Sequence, residues 1–195
     1  MHQIATDADL IAASIDDAQL FTRVFDRHYV EIHAFVQRRL GVRLADRIAT
    51  RTFVEAFRAR RHYAPAGPDA RPWLYGIAVR MIARYHRRER RMLRRYARRG
   101  PSLLAEPPLA ARESSAPHAT RRRVARAIAR LDGPLRDALL LEAWAGLTRD
   151  EAAKALGCDA GEVGRRLTAA RQRLAAAADF AAHPAPTPSG VRRAG

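Results

Sequence analysis

Two helix start signals fall either side of one glycine between Thr148 and Leu174, which leaves this segment little freedom in what it can fold into. Thr148 and Glu151 have capping-box spacing: the hydroxyl accepts from an orphan backbone N–H and the carboxylate reaches back to the cap. Ala152, Ala155 and Leu156 follow at helical spacing, and Gly157 supplies the left-handed turn that closes a helix. Asp159 and Glu162 repeat the start signal, and Val163, Leu167, Ala170 and Leu174 form the apolar stripe of a second helix. Its other face carries Arg165, Arg166, Thr168, Arg171, Gln172 and Arg173. A tight turn between two helices, the second edged with arginine, is the helix-turn-helix plan for entering a DNA major groove. A plain helical hairpin with solvated arginines fits this segment equally well, so the choice rests on the rest of the chain.

Charge favours the first reading. The net charge is +16 with a pI near 11.5, and Lys154 is the single lysine among 36 basic residues. A compact domain so charged repels itself unless it meets a polyanion, and DNA or RNA is the obvious one. An anionic membrane surface fits less well, because the basic segments interleave Tyr, Met and Leu at core-like spacing. Cys158 stands alone, which excludes a disulfide framework and a cysteine-based zinc site. The N-terminus, MHQIATDADLIAASIDD, is acidic rather than signal-like, and no run approaches 18 uninterrupted apolar residues. The expectation is a cytoplasmic protein without membrane insertion.

Nearly everything reads as helix. Leu20, Val24, Phe25, Ile32, Phe35, Val36 and Leu40 keep a 3.6-residue rhythm that Gly41 stops. A second helix is expected from about Leu44 to Arg61, burying Ile48, Ala49, Phe53, Ala56 and Phe57. The stretch HYAPAGPDARP is a loop, and Pro72 then opens a long helix with Trp73, Leu74, Ile77, Met81, Ile82 and Tyr85 inward. This helix can run through Tyr96 before Gly100-Pro101 ends it. Further helices are expected over 119–131 and 134–145, ahead of the helix-turn-helix. The resulting layout is all-α: an acidic extension over 1–17, a helical domain over 18–99, a proline-rich flexible linker over 100–118, a second helical domain over 119–180 and a disordered tail over 181–195.

The long helix is the most basic part of the chain, with nine arginines against Glu89 between Arg84 and Arg99. On an isolated helix each like-charge pair four apart costs a few tenths of a kcal/mol, so the counter-charge should come from outside. Arginines that neutralise phosphates release counterions, which makes binding favourable and salt-dependent. Trp73, Tyr75 and Tyr85 adjoin this strip, with His62 and Tyr63 in the preceding loop. Aromatics in such a place can stack on unpaired bases; Trp73 is expected to be core, and Tyr75 and His62 freer to meet a base. No catalytic constellation assembles: the histidines are scattered, and there is no metal-spaced pair and no phosphate-cradling glycine loop. Neither cofactor nor metal is expected. Glu31 and His33, two apart on one helix, should point away from each other.

Two blocks, in order and at fitting separation, resemble the sigma-70 family, and within it the short two-domain extracytoplasmic-function sigma factors. Phe25-Asp26-Arg27-His28-Tyr29 resembles the start of sigma domain 2, ADRIATRTFVEAFR (45–58) its polymerase-binding helix, and RPWLYGIAVRMIARYHRRERR (71–91) its promoter-melting helix. Residues 122–174 resemble sigma domain 4. The resemblance implies a subunit that binds core RNA polymerase and directs it to promoter DNA, with no chemistry of its own. It implies a loop over His62 to Arg71 that captures a flipped −10 base. Trp73, Tyr75, Arg80, Arg84, Arg87 and Arg88 fall at the opened strand or the adjacent backbone. Thr148, Glu162, Arg165, Arg166, Thr168 and Arg171 make the −35 set, and Asp46, Arg47, Thr50, Arg51 and Phe53 the polymerase-binding one. Members of this group are commonly sequestered by an anti-sigma factor, which makes one a candidate partner.

The chain departs from the family pattern at informative places. The polymerase-binding helix usually reads close to AEDLVQETF, whereas Arg47, Thr50 and Arg51 here replace an acid, a glutamine and an acid. Gly164 occupies a usual Lys/Arg position of the −35 helix. The alternatives are a stand-alone helix-turn-helix regulator that binds duplex DNA without polymerase, a nucleic-acid-processing enzyme, and a non-specific compacting protein.

Overall fold

The computed structural model describes residues 5–65, 67–99 and 124–182. The linker expected over 100–118 and most of the tail expected over 181–195 lie outside them. Among the described residues the structure is helical with no strand, as the periodicity requires.

The acidic N-terminus, expected as an extension, holds a helix. α1 (Asp7–Ala13) opens on a capping box in which Thr6 Oγ1 accepts from Asp9 N–H while Asp9 accepts from Thr6 N–H. It buries Asp7, Leu10 and Ile11. After a 3₁₀ turn at Ala18–Leu20 comes α2 (Phe21–Leu40), whose inward face is Phe21, Val24, His28, Ile32, Phe35 and Val36. Gly41, at φ +81°, is the sole residue between α2 and α3 (Val42–Ala59), a backbone angle that favours glycine. The two helices lock through rings: Phe25 meets Phe53 edge-on at 4.9 Å, and Phe21 meets Phe57 at 5.4 Å.

After a 3₁₀ turn at Arg60–His62 and the loop, α4 (Arg71–Arg99) is 29 residues long, about 43 Å at ~1.5 Å per residue. Leu74 to Val79, Met81 and Ile82 are all buried, so this half is apolar nearly all round rather than on one stripe. The reason is that two layers pack on it. One face meets α2 and α3, and another meets the C-terminal module. That module consists of α5 (124–130 of the described chain), α6 (Gly133–Ala143), α7 (Arg149–Leu156) and α8 (Ala160–Ala182).

The contact between the modules is close and specific. A Cβ placed on Gly76 would lie 2.5 Å from the Ala155 carbonyl oxygen, so α7 can sit this near α4 only because that side chain is missing. Arg39 of α2 pairs with Asp137 of α6 at 2.8 Å, their side chains only 7% and 15% exposed. Arg71 donates to the Ala145 carbonyl beyond α6. The hydrophobic core accordingly runs without a break from Leu10 to Ala170.

Candidate nucleic-acid interface

The helix-turn-helix forms as its residues dictate. Thr148 and Glu151 close the capping box reciprocally, Gly157 adopts the left-handed conformation at φ +66°, and Val163, Leu167 and Ala170 are buried. Asp159 accepts from Glu162 N–H at 2.7 Å, as the second start signal requires. The Glu162 carboxylate, however, does not reach back to the cap. It turns forward and binds Arg165 and Arg166, each at 2.8 Å. Arg171 pairs with Glu142 and Arg173 with Asp132, so α8 presents its arginines already held by acids from α6, the turn before it and α8 itself. Arg165, Thr168 and Arg171 remain open to solvent, whereas Arg166 is half-buried. Thr148, although exposed, spends its hydroxyl on the cap. The two arginines at the start of α8 hold the Glu162 carboxyl below its ordinary value, so this fork is ionic at neutral pH.

The α4 surface differs. Arg80, Arg84, Arg87, Arg88 and Arg91 are exposed, and their spacing confines them to about 100° of the helix circumference. Among the described residues none is paired with an acid, since Glu89 turns to His86 at 3.6 Å. This is a ridge of uncompensated positive charge.

At the start of α4 the expected base-meeting residues separate into two groups. Tyr75 is core, contrary to expectation: it is 2% exposed, edge-on to Phe35, with its hydroxyl 3.4 Å from Glu31. Burial, with the Glu31 charge, pushes the phenol up to about 12. Helical register explains the reversal, because α4 is buried on more faces here than a two-layer bundle would bury. Trp73 is half-buried and tilted against Tyr63 at 4.7 Å, and His62 is exposed. Arg71 is committed internally, to Glu31 at 3.0 Å and to Ala145. Tyr63, Asp69 and Trp73 wall a cleft of ≈ 310 Å³ whose far side is Glu151 and Lys154 of α7.

The loop is held by a charge network anchored on buried Asp7. Asp7 N–H donates to Pro68 O at 3.1 Å, and the Asp7 carboxylate accepts from Ala70 N–H, Arg27 and His28. His28 bridges to Glu31, and Glu31 to Arg71, so one chain of charges runs from α1 to the start of α4. Burial alone would raise Asp7, but the Ala70 N–H, Arg27 and His28 together bring it below its ordinary 3.8. Burial alone would lower His28, but Glu31 and Asp7 outweigh it and raise it above 6.5. Asp7, His28 and Asp69 bring donor atoms within 4.8 Å of one another. Arg27 and the Ala70 N–H already occupy the Asp7 carboxylate, so this is an ion-pair cluster and not a ligand set. The signal that would have found α1 is Thr6-x-x-Asp9, the same box as Thr148-x-x-Glu151.

On α3, Asp46, Arg47, Thr50 and Arg51 are exposed, and Asp46 bonds His33 at 2.9 Å. Phe53, expected in the polymerase-binding set, is 3% exposed and belongs to the core against Phe25. It can act only by positioning α3.

Residues 121–174 match the family model for sigma-70 region 4. The structure of CnrH in complex with the cytosolic domain of CnrY is similar at 25% identity and a TM-score of 0.62, over 89% of this chain and 97% of that one. The C-terminal module is thus similar to sigma-70 region 4. The sigma factor RpoE of Bartonella quintana, solved with the anti-sigma factor NepR, shares the sigma-type fold at 18% identity and a TM-score of 0.60, over 82% of this chain and 96% of that one. No curated protein sequence matches. The matched region spans α5, α6, the helix-turn-helix and its arginine face up to Leu174. No helix among the described residues is long and apolar enough to cross a membrane.

Proposed function

We propose that the chain is an RNA polymerase sigma factor whose two arginine surfaces hold one promoter, α8 in the −35 major groove and α4 on the opened −10 strand and its backbone. The observation that carries this is the pairing, on one region 4-bearing chain, of a solvent-facing α8 edge with an unneutralised α4 ridge. Arg165, Arg166, Thr168 and Arg171 face the −35 bases and phosphates, with Glu162 aiming the first two and Glu142 holding Arg171. Arg80, Arg84, Arg87 and Arg88 take phosphates. Trp73 lines the cleft for a displaced base, exposed His62 precedes it in the chain, and Tyr75 and Arg71 position it. The chain supplies no chemistry of its own, works in the cytoplasm and binds core polymerase through α3.

The docked form is the resting one in this account. Promoter elements about 25 base pairs apart are separated by ~85 Å at ~3.4 Å per pair, twice the length of α4, so the modules must part to reach both. Parting breaks the Arg39–Asp137 pair and the Arg71–Ala145 bond and uncovers the cleft that α7 closes. An anti-sigma factor that clasps both modules would hold the chain silent.

The test is reconstitution with core polymerase and promoter templates, scoring discrete transcript starts. A stable complex with promoter-specific starts supports the proposal. Tight duplex binding by the chain alone, with no polymerase complex, would instead favour a stand-alone regulator.

A further inference from the structure

Arg84 and Arg88 stand at the edge of the ridge nearest α3. With Arg47 and Arg51 of α3 they rim a groove of ≈ 540 Å³ between the two helices. Its floor is apolar: Ile48 and Met81 lie at the bottom, 7% exposed each, and Met92 stands 50% exposed at the mouth. The rim is almost without counter-charge. Arg51 is 3.8 Å from Glu55, and Glu89, the acid that lines the groove, is turned to His86. Four guanidinium groups therefore face one another from two helices across an apolar strip. Every residue of this groove belongs to the N-terminal module, so docking of the C-terminal module leaves it open.

An anion alone would satisfy the rim and leave the floor wet. Flexible Met side chains and an Ile suit the apolar face of an inserted helix, which groove recognition reads at helical spacing. From Met81 to Met92 the floor is about 16 Å long, which is three helical turns at ~1.5 Å per residue. We propose that this groove receives an acidic amphipathic helix of a partner protein, apolar side down on Ile48, Met81 and Met92, its carboxylates pairing with Arg47 and Arg51 on one edge and Arg84 and Arg88 on the other. The substitution of Arg47, Thr50 and Arg51 into positions that usually read acid, glutamine and acid then has a physical sense. A surface made to meet an acidic α3 is repelled by this one, and a surface of opposite sign is drawn to it. Only the partner's identity as polymerase rests on the sigma reading; its chemistry rests on the groove.

The test uses the full chain and a fluorescent synthetic peptide of about 18 residues, with Leu at i, i+3, i+4 and i+7 and Glu on both flanks. Anisotropy at physiological salt reads binding. The chain is expected to bind this peptide, and Arg47→Glu with Arg51→Glu to weaken it by about tenfold or more. Arg23→Glu with Arg43→Glu, the same charge change at exposed positions off the groove, should leave it unaltered. Exchanging the peptide's Leu for Ser, or its Glu for Gln, should also abolish the signal. Equal weakening by the two double variants would overturn the proposal, as would a single-stranded oligonucleotide that loses affinity on the Arg47/Arg51 change while the peptide does not. Transcript starts from the same proteins keep the two ideas apart. Peptide binding without promoter-specific starts breaks the sigma reading alone, and starts without peptide binding break this one alone.

Discussion

The arginines of α4 and α8 are chemically alike and physically opposite. On α8, Arg165 and Arg166 are held by Glu162, Arg171 by Glu142 and Arg173 by Asp132. On α4, Arg80, Arg84, Arg87 and Arg88 have no acid partner among the described residues. Neutralised, aimed guanidinium groups suit reading of base edges, where geometry decides; bare ones suit phosphate capture, where charge decides. In the proposed function the chain divides affinity from specificity between these two helices.

The largest effect should come from stripping the ridge. Arg80→Ala, Arg84→Ala and Arg87→Ala together should flatten the slope of log affinity against log salt by about three, uniformly across DNA sequences, in titrations at several salt concentrations. Arg166→Ala should instead cost about 1–3 kcal/mol on the −35 site and little on random duplex, and competition binding would show it. If both changes act alike on all DNA, the division is wrong. Gly164→Arg sharpens the comparison from the other side. Nothing lies within 4 Å of a Cβ at Gly164, so the side chain fits, removes ~1 kcal/mol of glycine cost in the helix and adds a cation to α8. Melting temperature and DNA affinity should both rise.

The helices themselves were legible, because Gly41, Pro72, Thr148 and Gly157 punctuate strong 3.6-residue patterns. The miss at α1 came from reading Asp7 and Asp9 as bulk negative charge when one is a cap partner and the other a buried anchor. Tyr75 turns inward, against expectation, and Phe53, buried as its periodicity requires, still falls in the polymerase-binding set, because a family motif marks the helix that acts and not which of its faces is inward. The docking of α7 on Gly76 and the acids that neutralise α8 are tertiary facts, set by elements far apart in sequence, and local spacing does not encode them.

A smaller effect separates the modules by pH. His28 is raised, so its share of stability is complete below its ordinary 6.5 and is lost as pH climbs through the raised value. Asp7 and Glu31 are lowered, so their shares are complete above their ordinary 3.8 and 4.5 and are lost on acidification. The network of the N-terminal module is strongest between about pH 4.5 and 6.5. Urea midpoints should fall from about pH 5.5 to 8.5, and His28→Gln should remove most of that fall.

The central claim, that the docked modules part to share one promoter, is tested most directly by distance. A donor on Cys158 and an acceptor on a cysteine replacing exposed Val30 would report it by energy transfer, with and without core polymerase and promoter DNA. The account predicts efficient transfer in the free chain and its loss in the promoter complex. Unchanged transfer in a complex that initiates correctly would contradict it.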